Sequence, residues 1–390
     1  MLAIKNGNLI IGNEIKKENI YIENEKIVDI TVSELPCDEV IDAMGNYVAP
    51  GFIDIHTHGA GGSDFLDGIA DAYLTAANVH AQHGATSIVP TITSVDTDSI
   101  QNTLTVFKAA YKQNKIGANL LGLHLEGPYF APSQKGAQED RFIRPFEKRE
   151  YEQIIACADN TILRWSAAPE LPGAAEFAKT LMSNNILPCI GHSDADSECV
   201  HEAFFHGFTH ITHLYSCTST VHRKNAFRYA GIVEAAYLND AITVEIIADG
   251  IHLPPDLLKL VYKIKGPDKI ALITDSMRGA GMPEGESVLG SKKNGLKVII
   301  EDGVAKLPDR SAFAGSVATC DRLVWNMINL ADVDICDTVK MITSTPAKIL
   351  GLEKKGQLKQ SYDADIVIFD NDIHVIMTII GGKVVYCLNG

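Results

Sequence analysis

The middle of this 390-residue chain alternates between two kinds of segment, and that alternation constrains the fold more than any other feature. Short strand-like runs, most of them rich in apolar residues, recur at 51–55, 86–92, 119–125, 162–167, 186–190, 208–212, 242–248 and 269–274. Runs of this length and apolarity read as strands buried on both faces. Between them lie segments of helical composition, at 69–82, 99–114, 174–184, 196–205 and 255–263. Alternating strand and helix imply a parallel sheet, because parallel neighbours need a crossover between them. Eight such units predict an α/β fold of the (β/α)8 TIM-like barrel type over residues 51–352. A hairpin around Asp302-Gly303 follows the eighth strand, and then helical segments at 318–330 and 337–350.

Both ends of the chain read differently. In 1–50, the turn signals Asn6-Gly7 and Glu23-Asn24-Glu25-Lys26 separate strand-like runs such as Leu9-Ile10-Ile11 and Ile27-Val28-Asp29-Ile30. In 353–390, Ala364-Asp365-Ile366-Val367-Ile368-Phe369 and Val375-Ile376-Met377-Thr378-Ile379-Ile380 are strand-like, and Gly381-Gly382 turns into Lys383-Val384-Val385-Tyr386. Two β-rich ends around a different middle predict one small β-sandwich assembled from both termini.

Charge and cysteine usage narrow the function classes. With 34 Lys and Arg against 49 Asp and Glu, the net charge is −15. A nucleic-acid backbone wants a basic face, so that partner is disfavoured. An anionic substrate would need a local basic pocket. The eight cysteines contain no C-x-x-C pair, which fits a reduced, cytoplasmic protein. The N-terminus shows no signal-peptide pattern, and no apolar run approaches the ~20 residues of a membrane span.

In a (β/α)8 barrel the C-terminal strand ends converge on one mouth. Here those ends carry His56-Thr57-His58, Glu126-Gly127-Pro128, Gly191-His192-Ser193, Thr212-His213-Leu214 and Thr274-Asp275-Ser276. In His-x-His along a strand, both rings fall on one face, because side chains alternate with period two. Imidazole with carboxylate suits Zn²⁺, Fe²⁺, Co²⁺ or Mn²⁺, and Glu126 has two oxygens with which to bridge two cations. A lone histidine at a strand end is ordinarily a hydrogen-bonded structural residue, and a lone aspartate after a strand a helix cap. Such residues at the ends of five separate strands point to a metal centre.

The remaining histidines read as structural. His80, His83, His201, His206 and His222 fall in helices or loops, and His374 in the terminal β segment. His124 has a supporting role only if its strand is regular, and His210, three residues before His213, is the alternative ligand. Gly59-Ala60-Gly61-Gly62 suits a turn or close backbone approach to a substrate. No nucleophile elbow, Walker loop or dinucleotide fingerprint occurs.

These motifs resemble those of the amidohydrolase superfamily. Pro50-Gly51-Phe52-Ile53-Asp54-Ile55-His56-Thr57-His58-Gly59 is similar to its opening strand, and Thr345-Pro346-Ala347-Lys348-Ile349-Leu350-Gly351 with Asp363-Ala364-Asp365-Ile366-Val367 to its C-terminal signature. Within the superfamily the resemblance is to the family of N-acetylglucosamine-6-phosphate deacetylases. It is carried by Gly122-Leu123-His124-Leu125-Glu126-Gly127-Pro128, Lys135-Gly136-Ala137, Ala168-Pro169-Glu170, Thr212-His213-Leu214-Tyr215, Ala248-Asp249-Gly250-Ile251-His252 and Thr274-Asp275-Ser276.

The resemblance implies a metal-dependent hydrolase acting on the acetamide of a phosphorylated amino sugar. One or two divalent transition ions per subunit are implied, zinc first and iron, cobalt or manganese as alternatives. Glu126, His192 and His213 match the main ligands, His56 and His58 the pair that completes a second site, and Asp275 the catalytic acid/base. Ala137, Gln138, Ser216, Cys217 and His252 match the substrate end. Arg223 matches a phosphate-binding arginine lent by the partner of a homodimer, with Arg228 as its alternative. Departures fall at that same end: Ser216-Cys217 replaces the common Asn-Ala, and Gln138 stands where some members have histidine. The competing expectations are a galactosamine-specific deacetylase, a cyclic-amide hydrolase, and a non-catalytic barrel scaffold.

Overall fold

The computed structural model describes residues 1–388. Eight parallel barrel strands run in chain order: β1 (Phe52–Thr57), β2 (Ala85–Ile92), β3 (Leu123–Glu126), β4 (Ile162–Ala167), β5 (Leu187–Ile190), β6 (His210–Ile211), β7 (Thr243–Ile247) and β8 (Ile270–Ile273). Each is hydrogen-bonded to the next from β1 to β8. Around them lie α1 (Ala70–Gln82), α2 (Thr97–Gln113), α3 (Lys148–Ala158), α4 (Ala174–Ser183), α5 (Ser197–Phe205), α6 (Ile232–Leu238), α7 (Pro255–Lys265) and α8 (Cys320–Asn329). The layer between strands and helices is apolar, with Trp165, Phe177, Ile190, Ile246 and Leu272 fully buried.

The barrel's last seam, between β1 and β8, is closed without a regular ladder. The Asp54 carboxylate accepts from the amides of His56 and Thr274 and from the Thr274 hydroxyl at 2.5 Å. Asp275 N–H donates to His56 C=O and His58 N–H to Ser276 C=O. The two strands that carry His56 and Asp275 are thus tied side by side.

Sequence periodicity differs from the structure in instructive places. The expected third strand is split at Leu121-Gly122, where Gly122 has φ +158°, into Asn119–Leu120 and β3, each of which pairs with β2. The last helical segment is two helices, Ile335–Ile342 and Ser344–Ile349, interrupted at Thr343. Helices α3 and α6 lie where no helix was expected. α6 is too short to show a period. After β8 the expected hairpin is one corner of a four-stranded antiparallel sheet, Gly285–Leu289, Leu296–Glu301, Val304–Lys306 and Phe313–Ser316.

The termini form two further sheets. One is built from Leu2–Lys5, Asn19–Glu23, Lys26–Thr31 and Glu39–Asp42. In the other, the C-terminal strands Ile366–Phe369, Val375–Ile380 and Lys383–Cys387 join Tyr47–Pro50, Asn8–Ile11 and Glu14–Lys16. Ile4, Leu9, Ile20, Ile22, Val48, Ile366, Ile368 and Ile379 pack in one core between them. Tyr47–Pro50 leads through Gly51 straight into β1, so this unit anchors the strand that carries His56.

Candidate metal centre

All six ligand-type residues expected from the strand ends meet at the barrel mouth, and all are buried. They form two groups, His56–His58–Asp275 and Glu126–His192–His213, in each of which the ligand atoms lie within 4.8 Å of one another. Glu126 joins the groups. Its Oε1 lies 3.1 Å from His192 Nε2, 2.8 Å from His213 Nε2 and 3.6 Å from His56 Nε2; its Oε2 lies 3.5 Å from His58 Nε2. Asp275 Oδ1 lies 3.1 Å from His58 Nε2 and 3.4 Å from His56 Nε2.

Two of the rings are aimed by a backbone carbonyl on their far side. His192 Nδ1 faces Gln134 C=O at 2.8 Å and His213 Nδ1 faces Ser216 C=O at 3.0 Å. A carbonyl only accepts, so Nδ1 carries the proton and each Nε2 presents a lone pair toward Glu126. Lone pairs aimed at a carboxylate repel it unless a cation or proton lies between. His56 Nε2 is buried and has no hydrogen-bond partner among the described residues. A donor set of nitrogens and carboxylate oxygens with this orphaned atom fits a divalent transition ion.

Backbone geometry reports the same convergence. His192, His213 and Asp275 have φ of +47°, +29° and +47°. Non-glycine residues adopt this region rarely, and such strain concentrates at functional sites. Electrostatics follow from burial and crowding. Burial pushes His56 down to about 3, so its ring is neutral. Burial works against charge on His58 too, but the hydrogen bond to Asp275 and the charge of Glu126 outweigh it and lift His58 to about 9.

A cavity of about 270 Å³ opens onto this centre. Ala137, Gln138, Ser216, Cys217 and His252 line it, as the motif comparison implies. Gln138 is also tied to the centre itself: its Nε2 donates to Glu126 Oε2 at 3.1 Å and its Oε1 accepts from Ser94 N–H at 2.8 Å. His252 is held by Asp249 Oδ2 at 2.7 Å. Arg223 and Arg228 are not brought to the cavity of their own chain. They pair across an exposed hairpin, His222–Lys224 with Phe227–Tyr229. His222 is therefore a strand residue rather than a helix or loop residue.

His124 and His210 are buried inside the barrel and outside both groups. His124 bonds Ser166 Oγ at 2.7 Å, and His210 bonds Thr243 Oγ1 at 2.7 Å. Two residues absent from the sequence reading lie beneath the centre. Glu245 on β7 and Arg164 on β4 form a fully buried ion pair. Glu245 Oε2 lies 3.1 Å from His56 Nδ1 and accepts from His213 N–H at 3.3 Å. A single charge inside an otherwise apolar strand run was the available signal in both cases.

Residues 47–385 match the amidohydrolase family. The chain is 32% identical to N-acetylglucosamine-6-phosphate deacetylase of Bacillus subtilis, over 99% of this chain and 97% of the relative. It is 32% identical to N-acetylgalactosamine-6-phosphate deacetylase of Escherichia coli O157:H7, over 88% of this chain and 89% of that one. The crystal structure of N-acetylglucosamine-6-phosphate deacetylase from Pasteurella multocida superposes with a TM-score of 0.91 at 26% identity, covering 98% of this chain and 99% of that one.

Proposed function

This chain belongs to the amidohydrolase family, and from that premise we propose that it hydrolyses the acetamide of N-acetyl-D-glucosamine 6-phosphate to acetate and D-glucosamine 6-phosphate. The observation that carries the reading is the convergence of Glu126, four imidazoles and Asp275 at the floor of one cavity. The galactosamine epimer is the second reading, raised by the similar identity to the galactosamine-specific relative.

Glu126, His192 and His213 would hold one divalent ion, and His56 and His58 with Asp275 and Glu126 a second. Zinc is the first choice for this donor set, with iron, cobalt and manganese as alternatives. Such ions supply Lewis acidity toward the amide carbonyl and the attacking water. The rest falls to the chain. Asp275 accepts the proton of the attacking water and passes it to the departing nitrogen, which could not leave as an anion. Both imidazole contacts of Asp275 fall on Oδ1, which leaves Oδ2 for that transfer. Gln138 fixes the second oxygen of Glu126. His252, at the cavity wall, suits the sugar phosphate.

Arg223 and Arg228 stand outward on their hairpin beside Phe227, which is 72% exposed. A homodimer in which this hairpin reaches the partner's cavity would supply the phosphate's cationic ligand, in a cytoplasmic protein of otherwise acidic charge.

A panel of N-acetylated amino sugars, with and without the 6-phosphate, tests this. N-acetylglucosamine 6-phosphate should exceed its galactosamine epimer and the unphosphorylated sugar in kcat/KM by at least ~10-fold. One of Arg223→Ala and Arg228→Ala should raise KM for the phosphorylated sugar alone. Equal turnover of the unphosphorylated sugar contradicts the phosphate reading, and preference for the galactosamine epimer moves the enzyme to the second reading.

A further inference from the structure

We propose that Glu245 is a positioning residue that makes His56 a metal ligand, so that filling of the second ion site depends on a carboxylate that touches neither ion nor substrate. This rests on the metal-dependent reading above. Glu245 is fully buried on β7, with no exposed surface. Its Oε1 accepts from the Arg164 guanidinium and lies 3.2 Å from His210 Nε2. Its Oε2 accepts from the His213 backbone N–H and faces His56 Nδ1 at 3.1 Å. Paired with Arg164, the carboxylate is ionised and can only accept. The proton of the His56 ring therefore sits on Nδ1. Its Nε2 is left as a bare acceptor, 3.6 Å from Glu126 Oε1 and 3.4 Å from Asp275 Oδ1, with no hydrogen-bond partner among the described residues. Only a cation makes that arrangement favourable. The other two aimed rings, His192 and His213, use backbone carbonyls for the same purpose. His56 alone uses a side chain, so its tautomer alone can be changed by one substitution.

Glu245→Gln makes the distinction. The guanidinium only donates, so the amide oxygen stays with Arg164 and the amide NH₂ turns to His56, giving up the long 3.3 Å bond from the His213 backbone N–H, whose ring stays aimed by Ser216 C=O. A donor at Nδ1 forces the ring proton onto Nε2, where it points at Glu126 and Asp275 in place of a lone pair. Ions per subunit and stepwise zinc affinities, measured on the intact protein, read the effect. The second ion's affinity should fall by about 10- to 100-fold, the usual cost of losing such a partner, while the first changes far less. In a His56→Asn background the same substitution should add no further loss.

Because Glu245 also pairs with buried Arg164, Glu245→Asp serves as the second variant. It keeps the charge but withdraws it from His56 by one methylene, about 1.5 Å. It should weaken the second ion in the same sense. Two ions bound with unchanged affinity in either folded variant overturn the inference, as does equal weakening of both ions. Wild-type protein that deacetylates its sugar with a single ion sinks this inference and leaves the function standing. Selective loss of the second ion in a protein without deacetylase activity does the reverse.

Discussion

Asp275 sits at φ +47°, a conformation that costs a non-glycine residue roughly 1–2 kcal/mol. It is held there from both sides: its N–H donates to His56 C=O and its C=O accepts from Ser316 N–H. The side chain thereby meets His56 and His58 rather than capping a helix, and the residues after it form turns. Asp275→Asn keeps shape but removes the base, so kcat should fall by at least ~100-fold in steady-state assays. The fold and the first ion should persist. A variant retaining more than a tenth of wild-type kcat removes Asp275 from the mechanism. Residues of this kind were legible in the sequence because their position at strand ends is set by topology. Glu245 and Arg164 were not, because side-chain partners across a barrel are set by three-dimensional packing. Gln138 was legible as a cavity residue but not as the clamp on Glu126, since that contact crosses between a loop and β3.

Among the barrel strands, the seam of β1 and β8 is the join without a regular ladder. Every other neighbouring pair of barrel strands shares a ladder, whereas here one buried carboxylate, Asp54, gathers two amides and a hydroxyl. Asp54→Ala strands three buried donors. At ~1–3 kcal/mol for each unsatisfied group, the loss should reach about 3 kcal/mol or more. The chemical unfolding midpoint would show it as a clear downward shift. An unchanged midpoint means that the backbone bonds from Asp275 and His58 close the seam alone. Strand and helix order along the barrel was readable from apolar periodicity. The breaks at Gly122 and Thr343 were not, because single-residue departures in backbone angle leave no period behind. The short α6 escaped because one run of seven residues is too short to show a helical period.

At the scale of the whole molecule, a net charge of −15 surrounds a site proposed to take a phosphorylated sugar. Local geometry must therefore overcome the overall field, and the arginines that could do so stand outside the cavity of their own chain, on the hairpin. Ions at the centre would add the strongest positive charge in the cavity. Phe52, at the start of β1, packs in the barrel's main core with Ile10, Ala49, Val367 and Phe369 of the terminal sheets, so the chain ends back the strand that carries His56. The measurement that bears most directly on the account is acetate release from N-acetylglucosamine 6-phosphate by the purified protein, followed with its metal content through chelation and reconstitution. We predict one acetate for each glucosamine 6-phosphate formed, loss of turnover as the ions leave, and recovery when a divalent transition metal returns. Undiminished acetate release from protein stripped of its ions, or no acetate from fully loaded protein, would contradict it.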